Sequence, residues 1–342
     1  MSEWMGRVCI CIPTYNAERT IGETLQSLLA QDYPELLIKV VDNASTDETL
    51  AVVSKFNDPR ISIYRSEENI GAEPNFTRCI GLAEGDYTAI YHADDVYETD
   101  MVRRQVEFLN AHPEACAVFT EAMKIDERNR PIGWLRVPND KAMNKEVLDF
   151  NSLFRSILKH SNFLICPSAM ARTQTYREVI CAWRGELFGS SADLDVWLRF
   201  ARYRAIGLIR EPLMRYRVSQ YQGSQTLCRL RTERADFFRV MDYYKINSPE
   251  LFFTKSSNKH YLGLQRTDRL VRAVNLIRLG RVKEAAMLSA DVITADAWLA
   301  AMTSRRGLIT LMGWIYLKTM MGLQLNQVLK TSLDRLAKAL GR

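Results

Sequence analysis

Short apolar segments alternate with amphipathic helical segments through the first 125 residues, at a spacing of about 25 residues. The apolar segments are predicted to be strands, at residues 7–12, 36–43, 61–66, 86–95 and 116–125. This alternation is typical of an α/β fold with helices on both faces of a mostly parallel sheet. A chain of 342 residues can hold one such domain of about 200–250 residues together with an appendage.

Four helices are predicted between these strands. Apolar residues recur at helical spacing in segments 17–31, 72–84 and 98–112. The remaining helix follows the second strand, where Ser45 precedes Glu48 by three residues. That spacing fits a capping box, so this helix is predicted to begin at Ser45.

Three of the predicted strands end in polar residues. The first is followed by "PTYN" (13–16), the second by "DNAS" (42–45), and the fourth finishes in "HADD" (92–95). In open sheets of this class, ligands bind beyond the carboxyl ends of the strands. The polar ends therefore predict a binding site at this edge of the sheet.

Asp94 and Asp95 stand side by side at the end of the fourth strand. Adjacent carboxylates repel each other and resist desolvation, so they belong either to a solvated turn or to a divalent cation site. The glycine-rich fingerprints of dinucleotide-binding and P-loop proteins are missing from the sequence. A dehydrogenase and a P-loop enzyme are thereby excluded, and a bound diphosphate would need a metal ion for most of its neutralisation.

The seven cysteines are scattered and form no C-x-x-C pair, so no structural zinc site is predicted and a reducing compartment is indicated. Cys9 and Cys11 alternate along the first strand and are expected to be core thiols. The first eight residues contain no apolar stretch of the kind found in signal peptides, so secretion is not expected.

Charge divides the chain into two parts. From Arg229 onward there are 20 Lys and Arg against 9 Asp and Glu, a net charge of +11, whereas residues 1–228 carry a net charge of −5. A basic tail indicates an anionic partner, either nucleic acid or a membrane surface. The tail contains no aromatic–basic motif of an RNA-binding module, so no nucleic-acid partner is predicted.

The apolar run at 307–317 is 11 residues long and ends at Lys318, which is short of the roughly 20 residues needed to span a bilayer. With Trp314, Tyr316 and flanking cations, it suits a helix lying in the interface of an anionic membrane. The alternatives are that residues 307–325 span the membrane, pack on the catalytic domain or pack in a homo-oligomer.

The chain resembles the family 2 glycosyltransferases, which are inverting enzymes with a GT-A fold. The resemblance rests on three motifs that occur in order, "ICIPTYNAERTIGETLQSLLAQDYP", "IKVVDNASTDET" and "ENIGAEPNFTRCIGLAEGDYTAIYHADD". It covers residues 7–125, resumes at 190–203 and 213–225, and is similar to a branch common in bacterial surface-polysaccharide assembly. It implies a catalytic domain at 1–225, with a nucleotide-binding half at 1–125 and an acceptor half at 126–225. Residues 226–342 would form a helical, basic C-terminal region.

The resemblance also implies which residues contact the nucleotide. Tyr15 would lie beside the base, and Asp42 would accept a hydrogen bond from the base's imide N–H. Arg78 would lie near the base or the diphosphate. The full set of implied nucleotide-binding residues is Pro13, Thr14, Tyr15, Asn16, Asp42, Arg78 and Asp94.

Asp94 and Asp95 match the D-x-D region of the family, where one carboxylate meets the ribose and the last binds the metal, Mg²⁺ or Mn²⁺. Asp193 matches the catalytic base; from the residues alone it could instead cap the helix that follows, and Asp195 is a rival base. The chain departs from the family at two positions, with His92 where Asp is common and Ala192 where Glu is usual. We expect His92 to be a packed residue at the strand end.

Two other aromatic residues need an interpretation, because glycosyltransferases handle sugars. Trp183 and Trp197 are expected to be core residues and not platforms on which a sugar stacks.

The activity implied is metal-assisted transfer of a sugar from a nucleoside-diphosphate sugar to a saccharide acceptor, expected to be polyprenyl-linked. The protein would then be cytoplasmic and peripheral on the cytoplasmic face of the inner membrane. The alternative is a non-catalytic nucleotide-sugar-binding or scaffold protein of the same assembly.

Overall fold

The computed structural model describes residues 6–139, 143–219, 230–290 and 292–339. The chain divides into two compact units, Met1–Ser219 and Gln220–Arg342. The expected domain boundary at residues 225 and 226, and the part of the resemblance at 220–225, lie outside the described residues.

The first unit contains a mixed sheet. Its strands are β1 Val8–Thr14, β2 Leu36–Asp42, β3 Ile61–Arg65, β4 Tyr87–Ile90, β5 Val96–Tyr97, β6 Ala115–Ile125, β7 Pro131–Leu135, β8 Val147–Leu148, β9 Met170–Arg172 and β10 Ala205–Arg217. They pair in the order β3-β2-β1-β4-β9-β6-β10-β5, and β7 and β8 add to β6 and β10. The first four strands of this order are parallel to one another, and β6 is parallel to β10. The short strands β5, β7, β8 and β9 are antiparallel to their neighbours.

Helices connect the strands of this unit. They are α1 Ile21–Leu29, α2 Thr49–Val53, α3 Ala72–Leu82, α4 Met101–Ala111, α5 Phe150–His160, α6 Thr173–Thr175, α7 Gly185–Phe188 and α8 Ala192–Tyr203. The strands and helices predicted up to residue 125 are thus all present, and the prediction of an α/β sheet fold is confirmed. The fourth strand is shorter than predicted: it ends at Ile90, so that "HADD" lies in the turn that follows.

Helices cover both faces of the sheet, as the alternation along β1 shows. Ile10 and Ile12 are fully buried in a core cluster with apolar residues of α1 and α4. Cys9 and Cys11 point to the other face because side chains alternate along a strand, and Cys11 Sγ donates to the carbonyl oxygen of Cys79 on α3 at 3.5 Å. Both thiols are buried, as expected for core residues.

The predicted capping box is wrong. Helix α2 begins at Thr49, and Ser45 Oγ instead accepts a hydrogen bond from the backbone N–H of Asn16 at 2.9 Å. Asp47 Oδ1 accepts from the N–H of Thr49 at 3.0 Å, and Glu48 N–H donates to Glu18. The residues after β2 are therefore used to tie two loops together before the helix starts.

The second unit is helical in its described part. Its helices are α9 Asp236–Asn247, α10 Lys255–Arg278, α11 Val282–Leu288, α12 Ala295–Thr303, α13 Arg305–Gly322 and α14 Asn326–Ala339. Its core joins α10, α11, α13 and α14 through buried residues that include Ile277, Trp314, Leu317 and Leu329. Among the described helices, none combines the length and the hydropathy that crossing a membrane requires.

Candidate active site

The loops after β1 and β2 are joined by backbone and side-chain hydrogen bonds. The N–H of Asn43 donates to the carbonyl of Thr14 at 2.8 Å. Asn16, held at a φ of 49°, donates its N–H to Ser45 and accepts from the N–H of Thr46 at 2.8 Å. A left-handed backbone is uncommon outside glycine and suits asparagine best, so Asn16 shapes the turn that carries "PTYN" along the sheet edge.

Asp42 ends β2 with a fully buried side chain. Its Oδ2 accepts a hydrogen bond from the N–H of Ser45 at 3.1 Å and lies 3.9 Å from Nε of Arg65. Its Oδ1 is buried, and no atom in the described part of the chain forms a hydrogen bond with it. Because an unpaired buried acceptor is costly, this oxygen is a candidate site for a ligand's N–H donor.

Arg78 lies on α3 beneath the same strand ends. Its guanidinium donates to the carbonyls of Asp42 at 3.2 Å and Tyr64 at 3.3 Å, and to Oδ1 of Asn75 at 2.9 Å. These bonds hold the ends of β2 and β3 together, and its predicted contact with the nucleotide stays a prediction. Tyr15, beside the buried Thr14, is 48% exposed and so is accessible to a ligand.

The Asp94–Asp95 pair lies in the turn between β4 and β5, and its two members occupy different environments. Asp95 is fully buried, and Asp94 is half-buried. Burial, and then the neighbouring charge of Asp94, raise the pKa of Asp95 well above its usual value. Asp95 Oδ1 accepts from the N–H of Arg217 at 2.8 Å, whereas its Oδ2 is buried and has no partner within the described ranges.

These carboxylates fit a divalent cation. One potential ligand atom from each of His92, Asp94 and Asp95 lies within 4.8 Å of the other two. The unpartnered Oδ2 of Asp95 is the observation that favours a cation over a solvated turn, because a buried carboxylate oxygen requires a proton, a donor or a metal ion. Carboxylate oxygens suit Mg²⁺ and Mn²⁺.

Arg217 is a site residue that the sequence reasoning missed. It ends β10, its side chain is 5% exposed, and its Nε donates to the carbonyl of Asp94 at 2.8 Å. Its Nη2 donates to Glu23 on α1 at 2.6 Å. The only sequence signal was its place in "LMRYR", inside the second segment of the family resemblance.

Asp193 is the second residue of α8, so it is not the cap of that helix. Its Oδ1 accepts from the N–H of Leu194 at 2.7 Å, and its Oδ2 accepts from Nδ2 of Asn162 at 3.3 Å. Burial raises its pKa from the usual 3.8 to about 6, and these hydrogen bonds offset part of that rise. A carboxylate with a pKa near 6 is suited to act as a general base at neutral pH.

Asp195, the rival base, is held in a different way. It is fully buried and forms ion pairs with Arg184 and with Arg199, whose Nε lies 3.0 Å from its Oδ2. The two guanidinium groups neutralise the charge of Asp195 in the core, and the choice of Asp193 as the base stays a prediction. Trp183 and Trp197 are buried, as expected for core residues.

The side chain of Cys166 is close to both Asp95 and Asp193. Its thiol is buried, and the charges of Asp193 and Asp95 add to the burial that raises its pKa. Both carboxylates therefore lie close enough to one side chain to act on it. The residues from β4 and α8 thus belong to one region, although 98 positions separate Asp95 from Asp193 in the sequence.

The model of glycosyl transferase family 2 matches residues 9–179. The chain is 29% identical over 203 residues to EpsE of Bacillus subtilis (strain 168), which is named as a putative glycosyltransferase. The match covers 57% of this chain and 66% of EpsE. It is 34% identical over 113 residues to TarS of Staphylococcus aureus (strain Mu50), a poly(ribitol-phosphate) β-N-acetylglucosaminyltransferase, covering 32% of this chain and 20% of TarS. The chain thus spans less than two thirds of these relatives' lengths.

Two solved structures share the fold. The crystal structure of S. aureus TarS 1–349 with UDP-GlcNAc superimposes with a TM-score of 0.59 at 18% identity, covering 96% of this chain and 92% of that one. The mannosyltransferase PcManGT of Pyrobaculum calidifontis, in complex with GDP-Man and Mn²⁺, gives a TM-score of 0.53 at 18% identity, with coverages of 91% and 85%. The GT-A fold expected from the sequence is confirmed.

Proposed function

This chain belongs to glycosyl transferase family 2, and on that premise we propose that it transfers a sugar, with inversion, from a nucleoside-diphosphate sugar to a saccharide acceptor. The observation that carries the proposal is Asp193, a largely buried carboxylate with a pKa of about 6 near the paired carboxylates of β4. Asp42 and Asp95 each keep a buried oxygen without a partner. In this proposal, Asp42 Oδ1 accepts a hydrogen bond from the nucleotide, and Asp95 Oδ2 binds the metal ion.

The nucleotide would bind along the loops after β1 and β2. Asp42 Oδ1 would accept the imide N–H of a uracil base or the corresponding ring N–H of a guanine base. TarS and PcManGT were solved with UDP-GlcNAc and GDP-Man, which makes these two nucleotides the first to test. Pro13, Thr14, Tyr15 and Asn16 would line the base and ribose, and Arg78 would hold the strand ends beneath them.

Asp95 and Asp94 would hold a divalent cation, and PcManGT is a structural neighbour solved with Mn²⁺. When bound, such a cation neutralises charge that builds on the diphosphate as it leaves. Asp94 is the more exposed of the pair and would also meet the ribose. The buried Asp95 would provide the stronger hold, because it has few competing water contacts.

Asp193 would act as the general base. As the acceptor oxygen forms its bond to the anomeric carbon, the hydroxyl proton passes to the Asp193 carboxylate. The bond from that carbon to the diphosphate breaks, and its electron pair leaves with the nucleoside diphosphate. Attack from the face opposite the leaving group gives inversion. Such proton transfer is typically worth about 10²–10⁴ in rate, and Asn162 would keep the carboxylate oriented.

The test measures release of nucleoside diphosphate from UDP- and GDP-sugars in the presence of Mn²⁺, with and without saccharide acceptors. We expect turnover in the wild type and loss of about 10²–10⁴ in Asp193→Asn, with nucleotide affinity nearly unchanged. Asp296→Asn is the matched control, since its side chain is 76% exposed in the second unit. Tight nucleotide-sugar binding without turnover on any acceptor would favour a scaffold role instead.

The acceptor is proposed to be a polyprenyl-linked saccharide of envelope polysaccharide assembly at the cytoplasmic membrane face. The support is a relative, TarS, whose name describes transfer to poly(ribitol-phosphate), together with exposed apolar residues on the second unit. We define the α12–α13 apolar surface by its members, Trp298, Leu299, Met302, Leu308, Ile309 and Met312, each about half exposed or more.

One of the residues expected to lie in the membrane interface, Trp314, is buried in the structure. Trp314 is 1% exposed, lies in the core of the second unit and donates its Nε1–H to the carbonyl of Arg266 at 3.3 Å. It therefore cannot sit in a lipid interface, and the prediction for this residue is wrong. The outward residues of α12 and α13, with the exposed cations Arg305 and Lys318, take its place in the proposal.

A further inference from the structure

We propose that His92 is a third protein ligand of the divalent cation, and that its imidazole makes the site prefer Mn²⁺ over Mg²⁺. The inference rests on the proposed function, in which Asp94 and Asp95 hold the ion. It departs from the expectation that His92 is a packed residue, and it assigns a role to a position where the family commonly has Asp.

The first observation is the state of the His92 ring. Its Nε2 is buried and has no hydrogen-bond partner among the described residues. The ring packs edge-on against Phe76, with centroids 5.6 Å apart. A packed histidine ordinarily satisfies its ring nitrogens, because a buried polar atom without a partner costs about 1–3 kcal/mol. A metal ion would supply the missing partner for Nε2.

The second observation is the position of that ring. One ligand atom of His92 lies within 4.8 Å of a carboxylate oxygen of Asp94 and of Asp95. Two atoms that bind one ion at about 2.0–2.2 Å are separated by no more than about 4.4 Å. Because at most one pair of the three atoms can lie opposite each other across the ion and adjacent ligands are about 3 Å apart, binding would draw the side chains closer together by up to about 2 Å. Asp95, fully buried with an unpartnered Oδ2, points to the same requirement.

The backbone around His92 is also fixed. Its N–H donates to the hydroxyl oxygen of Tyr97 at 2.8 Å, and that hydroxyl donates back to its carbonyl at 3.3 Å. Tyr97 is itself buried and stacked on Tyr91 with ring centroids 4.3 Å apart. The hydrogen bonds with Tyr97 therefore fix the turn that carries the three side chains. A metal site needs this preorganisation.

Ligand chemistry explains the expected selectivity. Mg²⁺ is bound almost entirely by oxygen ligands and keeps several waters. Imidazole nitrogen suits first-row transition metals, and affinity for nitrogen ligands rises from Mn²⁺ along that series. One imidazole and two carboxylates should therefore favour Mn²⁺, whereas an Asp at position 92 would restore an all-oxygen set.

The experiment detects nitrogen bound to the metal. Pulsed electron paramagnetic resonance of Mn²⁺ bound to the full chain with UDP should show nitrogen coupling from imidazole in the wild type. His92→Ala should remove that coupling and weaken Mn²⁺ by at least about tenfold. His92→Asp should remove the coupling and narrow the affinity ratio of Mn²⁺ to Mg²⁺. His112→Ala is the matched control, because His112 also lies beside carboxylates, Glu114 and Glu146, and it should change nothing.

The possible outcomes distinguish a failure of the role of His92 from a failure of the proposed function. Bound Mn²⁺ that is lost in Asp95→Asn but shows no nitrogen coupling in the wild type would overturn the role of His92 and leave the proposed function standing. If the wild type binds no Mn²⁺ with or without UDP, the metal premise of the proposed function fails and the role of His92 fails with it. The wild-type spectrum decides the matter even if a variant does not fold.

Discussion

Arg217 donates its backbone N–H to Oδ1 of Asp95 at 2.8 Å across 122 positions of sequence. The same residue donates its Nε–H to the carbonyl of Asp94. Arg217, at the end of β10, therefore holds both members of the carboxylate pair. Its backbone N–H binds the carboxylate of Asp95, and its side chain binds the carbonyl of Asp94. The turn after β4 is therefore positioned by β10, the last strand of the first unit in sequence, and this part of the proposed metal site depends on the pairing of β10.

We predict that Arg217→Ala weakens Mn²⁺-dependent binding of UDP or GDP by tenfold or more. The backbone bond to Asp95 would remain, but the turn would lose the guanidinium contacts that fix Asp94. Glu23→Gln is the matched variant, because it breaks the 2.6 Å ion pair with Arg217 but spares the bond to Asp94. Calorimetric titration should show that Glu23→Gln retains the metal-dependent part of the affinity. Equal losses of nucleotide affinity in both variants would show that the ion pair between Arg217 and Glu23, and not the contact with Asp94, supports metal-dependent binding.

The pKa of Asp193 predicts the pH dependence of transfer. Because the base must be deprotonated and its pKa is about 6, kcat/KM should rise with pH up to about 6 and level off above it. Initial rates from pH 4.5 to 8 at saturating metal would measure this limb. Asp193→Asn should lose the limb together with the activity. A midpoint near 4 would indicate an ordinary exposed carboxylate and would count against Asp193 as the base.

Asp193 should also lower the stability of the fold. Its native pKa of about 6 exceeds the usual 3.8, so between these values the native state binds more protons than the unfolded state. The free energy of unfolding therefore falls as pH rises from about 4 to 6 and stays lower above 6. Asp193→Asn should raise the stability at pH 8 by about 1–3 kcal/mol and change it little at pH 4. Denaturant melts at the two pH values would measure this. A variant less stable than the wild type at pH 8 would show that the carboxylate has a structural role.

Much of this site was predictable from sequence for one physical reason. Parallel strands place their carboxyl ends on one edge, so "PTYN", Asp42 and the Asp94–Asp95 pair were expected to converge. The different environments of Asp193 and Asp195 were not predictable from spacing, because they depend on the ion pairs that Arg184 and Arg199 form with Asp195 in the folded chain.

Two other features depended on contacts between distant segments. Ser45 looked like a helix cap, but the loop after β1 supplies it with a different partner, Asn16. Trp314 looked like an interfacial residue because its neighbours are apolar, yet tertiary packing buries it. Local patterns identify which residue types are present, and only the folded contacts decide which face they occupy.

Asp195→Asn is predicted to destabilise the first unit, not to remove a catalytic group selectively. It would leave the guanidinium groups of Arg184 and Arg199 beside a neutral amide, and breaking a buried ion pair from one side typically costs about 3–5 kcal/mol. Chemical denaturation should show this loss. At a temperature where the variant remains folded, it should keep measurable turnover. A folded, stable Asp195→Asn protein with no activity would reverse the assignment of the base.

The last prediction concerns the α12–α13 apolar surface and vesicles rich in anionic lipid. Binding should rise with anionic lipid content, because each Lys or Arg near such a surface contributes about 1 kcal/mol, and should fall at high salt as that attraction is screened. Release should be incomplete, since salt does not screen the burial of apolar side chains.

Deleting residues 305–342 is an unsuitable test, because Trp314, Leu317 and Leu329 form part of the core of the second unit. The double substitution of Met302→Glu and Ile309→Glu changes side chains that are 83% and 59% exposed and should leave the fold intact. It should abolish co-sedimentation with anionic vesicles, because it removes apolar burial and adds repulsion. Ile132→Glu, at a site 53% exposed in the first unit, is the matched control and should still bind. If the wild type stays in the supernatant with these vesicles, or if the double variant binds as well as the control, then the α12–α13 apolar surface faces a protein and not a lipid.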